Sequence, residues 1–179
     1  MEATGFKVFD TAIGPCSVAW GERGLVGTQL PEPSAGETRA RMQRRYPGAR
    51  EAAPPPEVER AVAAISSHLR GEPADLSGIA LDMEGIPMFH RRVYEVARAI
   101  PSGATLSYGE VAARIGEPSA AREVGQALGR NPFPIVVPCH RVLAANGKTG
   151  GFSAPGGVST KLRLLAIEGA RLPAIPTLF

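Results

Sequence analysis

The chain has 179 residues and a formal net charge of +3 at pH 7, with 44% apolar and 21% charged residues. This length allows one domain or two small ones with a real hydrophobic core. The sequence contains no uncharged apolar run long enough to span a membrane, and we expect no signal peptide because the first residues lack an apolar segment. The mildly basic balance permits an acidic partner such as nucleic acid without requiring one.

Cysteine and histidine usage limits the redox and metal chemistry. Cys16 and Cys139 are the two cysteines, too few for a disulfide framework, so we expect a cytoplasmic setting. Together with His68, His90 and His140 they show no metal-ligand spacing, and we therefore expect no metal.

The first half of the chain has the alternating residues and tight turns of an α/β unit. Strands are predicted at residues 6–9, 16–20 and 25–30, with a hairpin turn at 21–24 and a further strand at 76–83. Helices are predicted at 38–46 and, after three prolines, at 58–69. Within these elements Cys16 is interpreted as structural, and His68, in a last helical turn, as solvated or favoured by the helix dipole.

A boundary near Glu84 to Pro87 divides the chain into residues 1–85 and 86–179. A helix is predicted from Phe89 to about residue 100. The pair Ser107 and Glu110 fits a capping box, in which both side chains satisfy free backbone donors at a helix start. That short helix ends at a turn, and Ser119 is predicted to cap the helix that follows.

This following helix has two different faces. Arg122, Gln126 and Arg130 recur at four-residue steps opposite an apolar face, which is the pattern that a helix-turn-helix offers to DNA. A helical hairpin with solvated arginines explains the pattern equally well. The sequence predicts an α/β N-terminal domain followed by a mostly α C-terminal domain with a helix-turn-helix, α+β overall.

The run from Asn131 to Val142 contains the most reactive group of residues. Three prolines among apolar residues predict an extended, rigid, buried segment that delivers Cys139 to a fixed place. His140 and Arg141 follow directly and are candidates to raise the thiolate fraction of the cysteine. This arrangement favours a nucleophile over an inert thiol.

The C-terminal part begins with a glycine-dense loop at residues 150–157, which indicates close backbone approach to a partner or plain flexibility. A final helix is predicted to end at Glu168, with Gly169 as its C-terminal cap. The apolar tail from residue 172 to 179 is predicted to pack back onto the body.

From about Phe89 to Gly169 the sequence resembles the O6-alkylguanine-DNA alkyltransferases, also called methylated-DNA-protein-cysteine methyltransferases. The resemblance rests on Pro138-Cys139-His140-Arg141-Val142, preceded by Gly129-Arg130-Asn131-Pro132 and by residues 119–125. Residues 19–27 look more weakly like the N-terminal α/β domain of that family.

The resemblance implies a monomeric DNA repair protein without a cofactor, which flips O6-alkylguanine, such as O6-methylguanine, out of double-stranded DNA. It implies that Cys139 accepts the alkyl group irreversibly, once per molecule. His140 would take the thiol proton through a water, oriented by Glu168. Tyr108 would donate to the departing guanine, and Asn131 would support the active-site turn.

The same resemblance implies how the DNA and the base are held. Arg122 would replace the flipped base, and further DNA contacts are predicted for Ser119, Gln126, Arg130 and Arg141. Pro134 and Phe152 would line the pocket. The Ser153 amide and the carbonyls of Cys139 and Val142 would read the guanine.

The sequence departs from the family pattern in the glycine-dense loop, where Ala154 and Pro155 are inserted before Gly156. We therefore expect an altered preference among alkyl groups. The zinc ligands that some members carry in the N-terminal domain are not evident.

Other classes of protein explain less of the sequence. A catalytically silent relative that binds lesions and signals to another repair pathway would carry Trp in place of Cys139. A transcription regulator leaves Cys139, His140 and Glu168 without a role, and a Cys-His hydrolase would turn over repeatedly.

Overall fold

A four-stranded sheet forms the first part of the protein in the computed structural model, which describes residues 2–172. Its strands are β1 Gly5–Thr11, β2 Gly14–Gly21, β3 Gly24–Gln29 and β4 Arg50–Glu51, in the spatial order β3-β2-β1-β4. The pairs β1–β2 and β2–β3 are antiparallel, whereas β1–β4 is parallel. The predicted hairpin is confirmed: Gly21 pairs with Gly24, whose φ of 124° lies in a region that favours glycine.

Two helices accompany this sheet, α1 Ala35–Arg45 and α2 Pro56–Leu69. The side chain of Ser34 caps α1 by accepting from the Glu37 amide, and a proline opens α2 because a first-turn residue needs no N–H. Both predicted helices are confirmed, with α1 beginning three residues before the predicted start at Thr38.

The strand predicted at residues 76–83 is wrong. This segment is a loop that touches the sheet through one isolated bridge, between Leu81 and Leu25. The Arg98 guanidinium donates to the carbonyls of Leu76, Ser77 and Ile79, so these acceptors are already used by a side chain and do not form a ladder.

The second half is mostly helical, with α3 Met88–Arg98, α4 Tyr108–Arg114, α5 Ala121–Gly129 and α6 Gly157–Ile167. The capping box of Ser107 and Glu110 at the start of α4 is confirmed. Ser119 does not cap α5: the N-cap is Ala120, because the Ala120 amide donates to the Glu117 carbonyl and the turn continues past Ser119.

A second sheet consists of two short parallel strands, β5 Leu106–Ser107 and β6 Val142–Leu143. One 3₁₀ turn, Cys139–Arg141, leads directly into β6, and a second short 3₁₀ segment lies at Ala145–Gly147. Because β5 leads directly into α4, this pairing places Tyr108, the first residue of α4, beside the turn that carries Cys139.

One hydrophobic core joins the two halves. It includes Val18 and Leu25 of the sheet, Ile65 of α2, and Val93 and Leu164 of the second half. The fold class is as predicted, while the boundary at residue 85 stays a prediction. None of the helices within residues 2–172 is long and apolar enough to cross a membrane. The predicted packing of the tail falls mostly on residues 173–179, which lie outside the described range.

Candidate active site

The segment that leads to Cys139 is buried but not extended. Phe133, Ile135, Val136 and Val137 are buried, as predicted, yet the backbone turns at residues 134–136 and the Val137 amide donates to the Phe133 carbonyl over 2.8 Å. Ile135 has a φ of 78°, an uncommon and costly conformation for a β-branched residue. The prediction of an extended run is therefore wrong, because the prolines here shape a turn.

The side chain of Asn131 closes this turn. Its Nδ2 donates to the Val137 carbonyl over 2.9 Å, and its Oδ1 accepts from the Phe133 amide over 2.8 Å. One amide group thus uses both a donor and an acceptor on the same loop. Asn131 joins the two ends of the turn immediately before Cys139.

The N-terminal part of the chain holds the same turn from outside. The Thr28 amide donates to the Pro132 carbonyl over 2.9 Å, and its hydroxyl donates to the Pro134 carbonyl over 2.6 Å. Arg45 of α1 donates to the carbonyls of Pro132 and Thr28, over 3.0 and 3.1 Å. The Arg45 guanidinium therefore lies against the turn.

Cys139 lies at a cavity of about 570 Å³, a size suited to a small organic group. Six predicted site residues line this cavity: Tyr108, Asn131, Pro134, Cys139, Phe152 and Ser153. The sequence did not predict the wall from the N-terminal part, which consists of Thr28, Gln29, Leu30, Arg41 and Arg45. Ala154 and Pro155, the inserted residues, also line the cavity.

The Cys139 thiol is held neutral at rest. Burial raises the pKa of the Cys139 thiol, and the side chain of Asn131 and the charge of Lys161 oppose this rise. A neutral thiol is a poor nucleophile, so reaction at this sulfur requires a base that removes its proton.

His140 has the geometry of such a base. Its Nε2 lies 2.7 Å from Glu168 Oε1, and both side chains are 1% exposed. Burial lowers the pKa of His140 although the bond to Glu168 opposes this, so the imidazole is neutral. A neutral imidazole that donates from Nε2 has its lone pair on Nδ1, and this atom is buried without a hydrogen-bond partner among the described residues. The Nδ1 atom is therefore the available proton acceptor.

Glu168 supplies the negative charge behind His140. Burial disfavours its ionised form, but hydrogen bonds from His140, His68 and Arg141 outweigh burial and hold the pKa of the carboxyl well below its usual range. The carboxylate is therefore charged at neutral pH and can stabilise an imidazolium at His140.

Arg141 does not face the predicted DNA surface. It is 7% exposed, donates to both oxygens of Glu168 over 2.8 and 3.0 Å, and donates to the Ile100 carbonyl over 2.6 Å. The predicted DNA contact of Arg141 is corrected accordingly, because these bonds direct its guanidinium inward. Arg141 instead fixes the plane of the Glu168 carboxylate.

Two further residues of the site were not predicted. Lys161 of α6 is 1% exposed and donates to the Val142 carbonyl over 2.7 Å, and burial lowers its pKa to about 8. His68, interpreted from the sequence as solvated, is buried with its Nε2 2.9 Å from Glu168 Oε1. Its partner is 100 residues away in sequence, so local pattern carried no signal for this contact.

Carbonyls expected to read a guanine have partners within the protein. The Val142 carbonyl accepts from Lys161, and the Cys139 carbonyl accepts from the Val142 amide. Because a carbonyl oxygen has two lone pairs, each retains capacity for one further donor. The roles of these carbonyls in reading a base stay predictions.

Tyr108 forms the wall of the cavity that lies beside the glycine-dense loop at residues 150–157. Burial and the neighbouring Cys139 raise the pKa of Tyr108, so the phenol keeps its proton at neutral pH. Gly150 has a φ of 69°, and a Cβ at this position would lie 2.8 Å from the Tyr108 hydroxyl. Glycine is required there for the loop to approach the ring. The Ser153 hydroxyl donates to the Gly129 carbonyl over 3.0 Å and closes the loop against α5.

The outer face of α5 and of the turn between α4 and α5 is open. Ser119, Arg122, Gln126 and Arg130 are all exposed along α5 and the turn before it. This basic face lies beside the cavity, since Gly125, Leu128 and Gly129 of α5 also line it. A nucleic acid bound on this face would lie next to the opening that leads to Cys139.

The fold and the site define a class: nucleic-acid-binding proteins in which a cysteine, backed by a histidine and a carboxylate, reacts within a pocket. Residues 88–170 match the family model described as 6-O-methylguanine DNA methyltransferase, DNA binding domain. A methylated-DNA--protein-cysteine methyltransferase of Mycobacterium bovis is 39% identical over 174 residues, covering 97% of this chain and 98% of that protein.

Solved structures agree over the same length. The crystal structure of the Mycobacterium tuberculosis O6-methylguanine methyltransferase superimposes with a TM-score of 0.74 at 36% identity, covering 97% of this chain and 98% of that one. The Mycobacterium tuberculosis OGT in complex with DNA gives a TM-score of 0.74 at 35% identity, covering 96% of each chain. The chain therefore belongs to the methylated-DNA–protein-cysteine methyltransferase family.

Proposed function

We propose that this protein is a DNA repair enzyme, a methylated-DNA–protein-cysteine methyltransferase that moves an alkyl group from O6 of guanine to Cys139. The observation that carries the proposal is the position of the Cys139 thiol in the 570 Å³ cavity, next to the His140–Glu168 pair. Its relatives that are named for this activity align over nearly the whole chain.

The chemistry follows from the side chains. The Cys139 proton passes through a water to His140 Nδ1, and the sulfur attacks the alkyl carbon while the carbon–O6 bond breaks. The electron pair of that bond stays on the guanine, which accepts a proton from Tyr108, and the proton held by His140 restores the phenol. The thioether has no leaving group that would reverse the step, so each molecule reacts once.

Access to O6 requires that the base leave the duplex. The cavity lies behind α5, and the exposed Arg122 is the side chain that would fill the gap in the base stack. Extruding a base costs a few kcal/mol of stacking and pairing, which such a side chain and phosphate contacts offset. Ser119, Gln126 and Arg130 would supply contacts to the DNA.

The decisive experiment is intact-mass analysis after incubation with duplex DNA that contains O6-methylguanine. We expect one added methyl group per molecule, with no further addition at excess DNA. Cys139→Ala should stay unmodified, while Cys16→Ala, a matched control in a buried strand, should react normally. Lesion binding without a mass change would instead support the silent lesion-binding alternative, and neither binding nor transfer would contradict both.

The inserted Ala154 and Pro155 are proposed to change which alkyl groups fit. Both residues line the cavity, and the Pro155 carbonyl accepts from the Thr160 hydroxyl over 2.8 Å, which fixes the inserted bend. Deleting both residues should shift the ratio of transfer rates from benzyl and methyl adducts. An unchanged ratio in the deletion variant would show that the insertion does not determine substrate preference.

A further inference from the structure

Glu168 accepts a hydrogen bond from a residue that has no part in the transfer mechanism described above. His68, near the end of α2, places its Nε2 2.9 Å from Glu168 Oε1, and its side chain is 7% exposed. The same oxygen lies 2.7 Å from His140 Nε2 and 2.8 Å from Arg141 Nη2. Glu168 is thus held from two directions, by the 3₁₀ turn of its own half and by a helix of the N-terminal half.

The shared oxygen determines which ring nitrogen of each histidine carries the proton. For both to donate to Oε1 at once, each must carry its proton on Nε2, and His140 then has its lone pair on Nδ1. A carboxylate that turned away from His140 would release this constraint. His140 could then carry its proton on Nδ1, and this nitrogen could no longer accept the proton of Cys139.

His68 also borders, together with Glu168, a second cavity. This cavity of about 630 Å³ is lined by His68, Glu72, Asp75, Ser102 and Glu168. The side chain of Glu168 is nevertheless only 1% exposed. Removing the imidazole would open the carboxylate to this cavity, and hydration would compete with the bond to His140.

We propose that His68 is a positioning residue for alkyl transfer, which donates from α2 to Glu168 Oε1 and thereby holds the carboxylate against His140. This inference deepens the function proposed above and rests on it. It makes the N-terminal half part of the machinery that activates Cys139, through a contact that spans 100 residues of sequence.

The test compares His68→Leu, which removes the donor, with His68→Gln, whose amide nitrogen can occupy the position of Nε2. We expect single-turnover transfer from O6-methylguanine duplex DNA to slow by about 10- to 100-fold in His68→Leu, as for a misplaced catalytic group. His68→Gln should recover most of the rate. Ser66→Ala, on the same helix and with its hydroxyl donating to the Val62 carbonyl, is the matched control and should react normally.

A second readout does not depend on transfer. Nitrogen NMR of labelled histidine, simple here because the chain has three histidines, reports the tautomer of His140. We expect the Nε2–H tautomer in the wild type and His68→Gln, and a mixture of tautomers in His68→Leu. A His68→Leu variant that melts lower, yet reacts at the wild-type rate with an unchanged His140 tautomer, would overturn the proposal.

The same measurement separates the two proposals. If the wild type transferred no alkyl group but the His140 tautomer still depended on the donor at residue 68, the proposed function would fail, and of this inference only the geometric part, that His68 holds Glu168 against His140, would stand. If His68→Gln behaved as His68→Leu in both readouts while remaining folded, the donated hydrogen bond would not be what matters, and the positioning proposal would fail.

Discussion

The two cysteines of this protein show how position determines the chemistry of a thiol. Cys16 lies in the middle of the sheet, is 1% exposed, and has the hydroxyl of Thr11 as a polar partner, over 3.6 Å. Burial raises its pKa to about 12, although the Thr11 hydroxyl opposes this. Cys139 is also partly desolvated, but it borders a cavity, and Asn131 and Lys161 both stabilise its thiolate form. Burial alone therefore makes a thiol inert, and an open wall with polar neighbours makes it usable.

The largest expected difference between the two thiols is in their accessibility to a soluble electrophile. Iodoacetamide should modify Cys139 in the folded protein, whereas Cys16 should react only when the sheet opens, on the order of a thousandfold more slowly. Peptide mass mapping over time measures both rates. Comparable rates in folded protein would contradict the contrast, and a denatured sample, in which both thiols react, is the control.

The contrast sharpens if the charge that supports His140, the base behind Cys139, is removed. Glu168→Gln keeps the size of the side chain but removes the charge that stabilises an imidazolium at His140, so alkyl transfer should slow by about 100-fold or more. Single-turnover kinetics with methylated duplex DNA measure this loss. Glu59→Gln, which removes an exposed partner of Lys7, is the matched control and should keep the wild-type rate.

The stability of the wild type and of Glu168→Gln should also respond differently to acid. The depressed pKa of Glu168 contributes stability that is present above the ordinary carboxyl pKa and is lost as pH falls below it. The melting temperature of Glu168→Gln should consequently fall less than that of the wild type as pH drops below about 4. Equal losses in both would argue against a strongly stabilised carboxylate.

Cys139 also differs from Cys16 because it lies beneath α5, the helix proposed to face DNA. If Arg122 fills the gap left by a flipped base, as proposed, Arg122→Ala should slow transfer from duplex DNA by about tenfold. Transfer from the free base O6-benzylguanine should not change. Arg60→Ala, an exposed arginine on α2, is the control, and equal effects on duplex and free base would contradict a role in flipping.

The smallest predicted effect is the change of stability with pH that the titration of Lys161, a buried cation near Cys139, produces. Because burial lowers its pKa to about 8, the folded state loses its proton more readily than the unfolded chain, and stability rises with pH above that value. Lys161→Met lacks this term. The difference in Tm, variant minus wild type, should therefore decrease between about pH 7 and pH 10. A constant difference would show that Lys161 does not titrate in this range.

Sequence pattern predicted the local features well because their causes are local. The hairpin at Gly21–Gly24 and the capping box of Ser107 and Glu110 depend on residues a few positions apart. The hypothesis that Cys139 and His140 form a reactive pair also came from adjacent residues, and it stays a prediction. Side chains whose partners lie far along the chain were misjudged: Arg141 was placed on DNA and His68 in solvent, although both bind Glu168.

Errors in backbone shape have a similar origin. Pro132, Pro134 and Pro138 suggested an extended run, since proline disfavours helix in the preceding residue. The turn that forms instead is fixed by Asn131 and by Thr28, which is 106 residues from Pro134. The bonds of Asn131 are local, but no short window of sequence contains both Thr28 and Pro134.

The bonds between Thr28, Arg45 and the active-site turn have a consequence for dividing the protein. A proline contributes a carbonyl but no N–H, so this turn has more acceptors than donors. The N-terminal half supplies the missing donors to the carbonyls of Pro132 and Pro134. An excised fragment of residues 88–170 would leave these acceptors to water and lose the donor balance of its most important loop. The α/β half thus supplies hydrogen-bond donors to a segment that lacks enough of its own. A minimal engineered alkyl acceptor without this half would need other donors in their place.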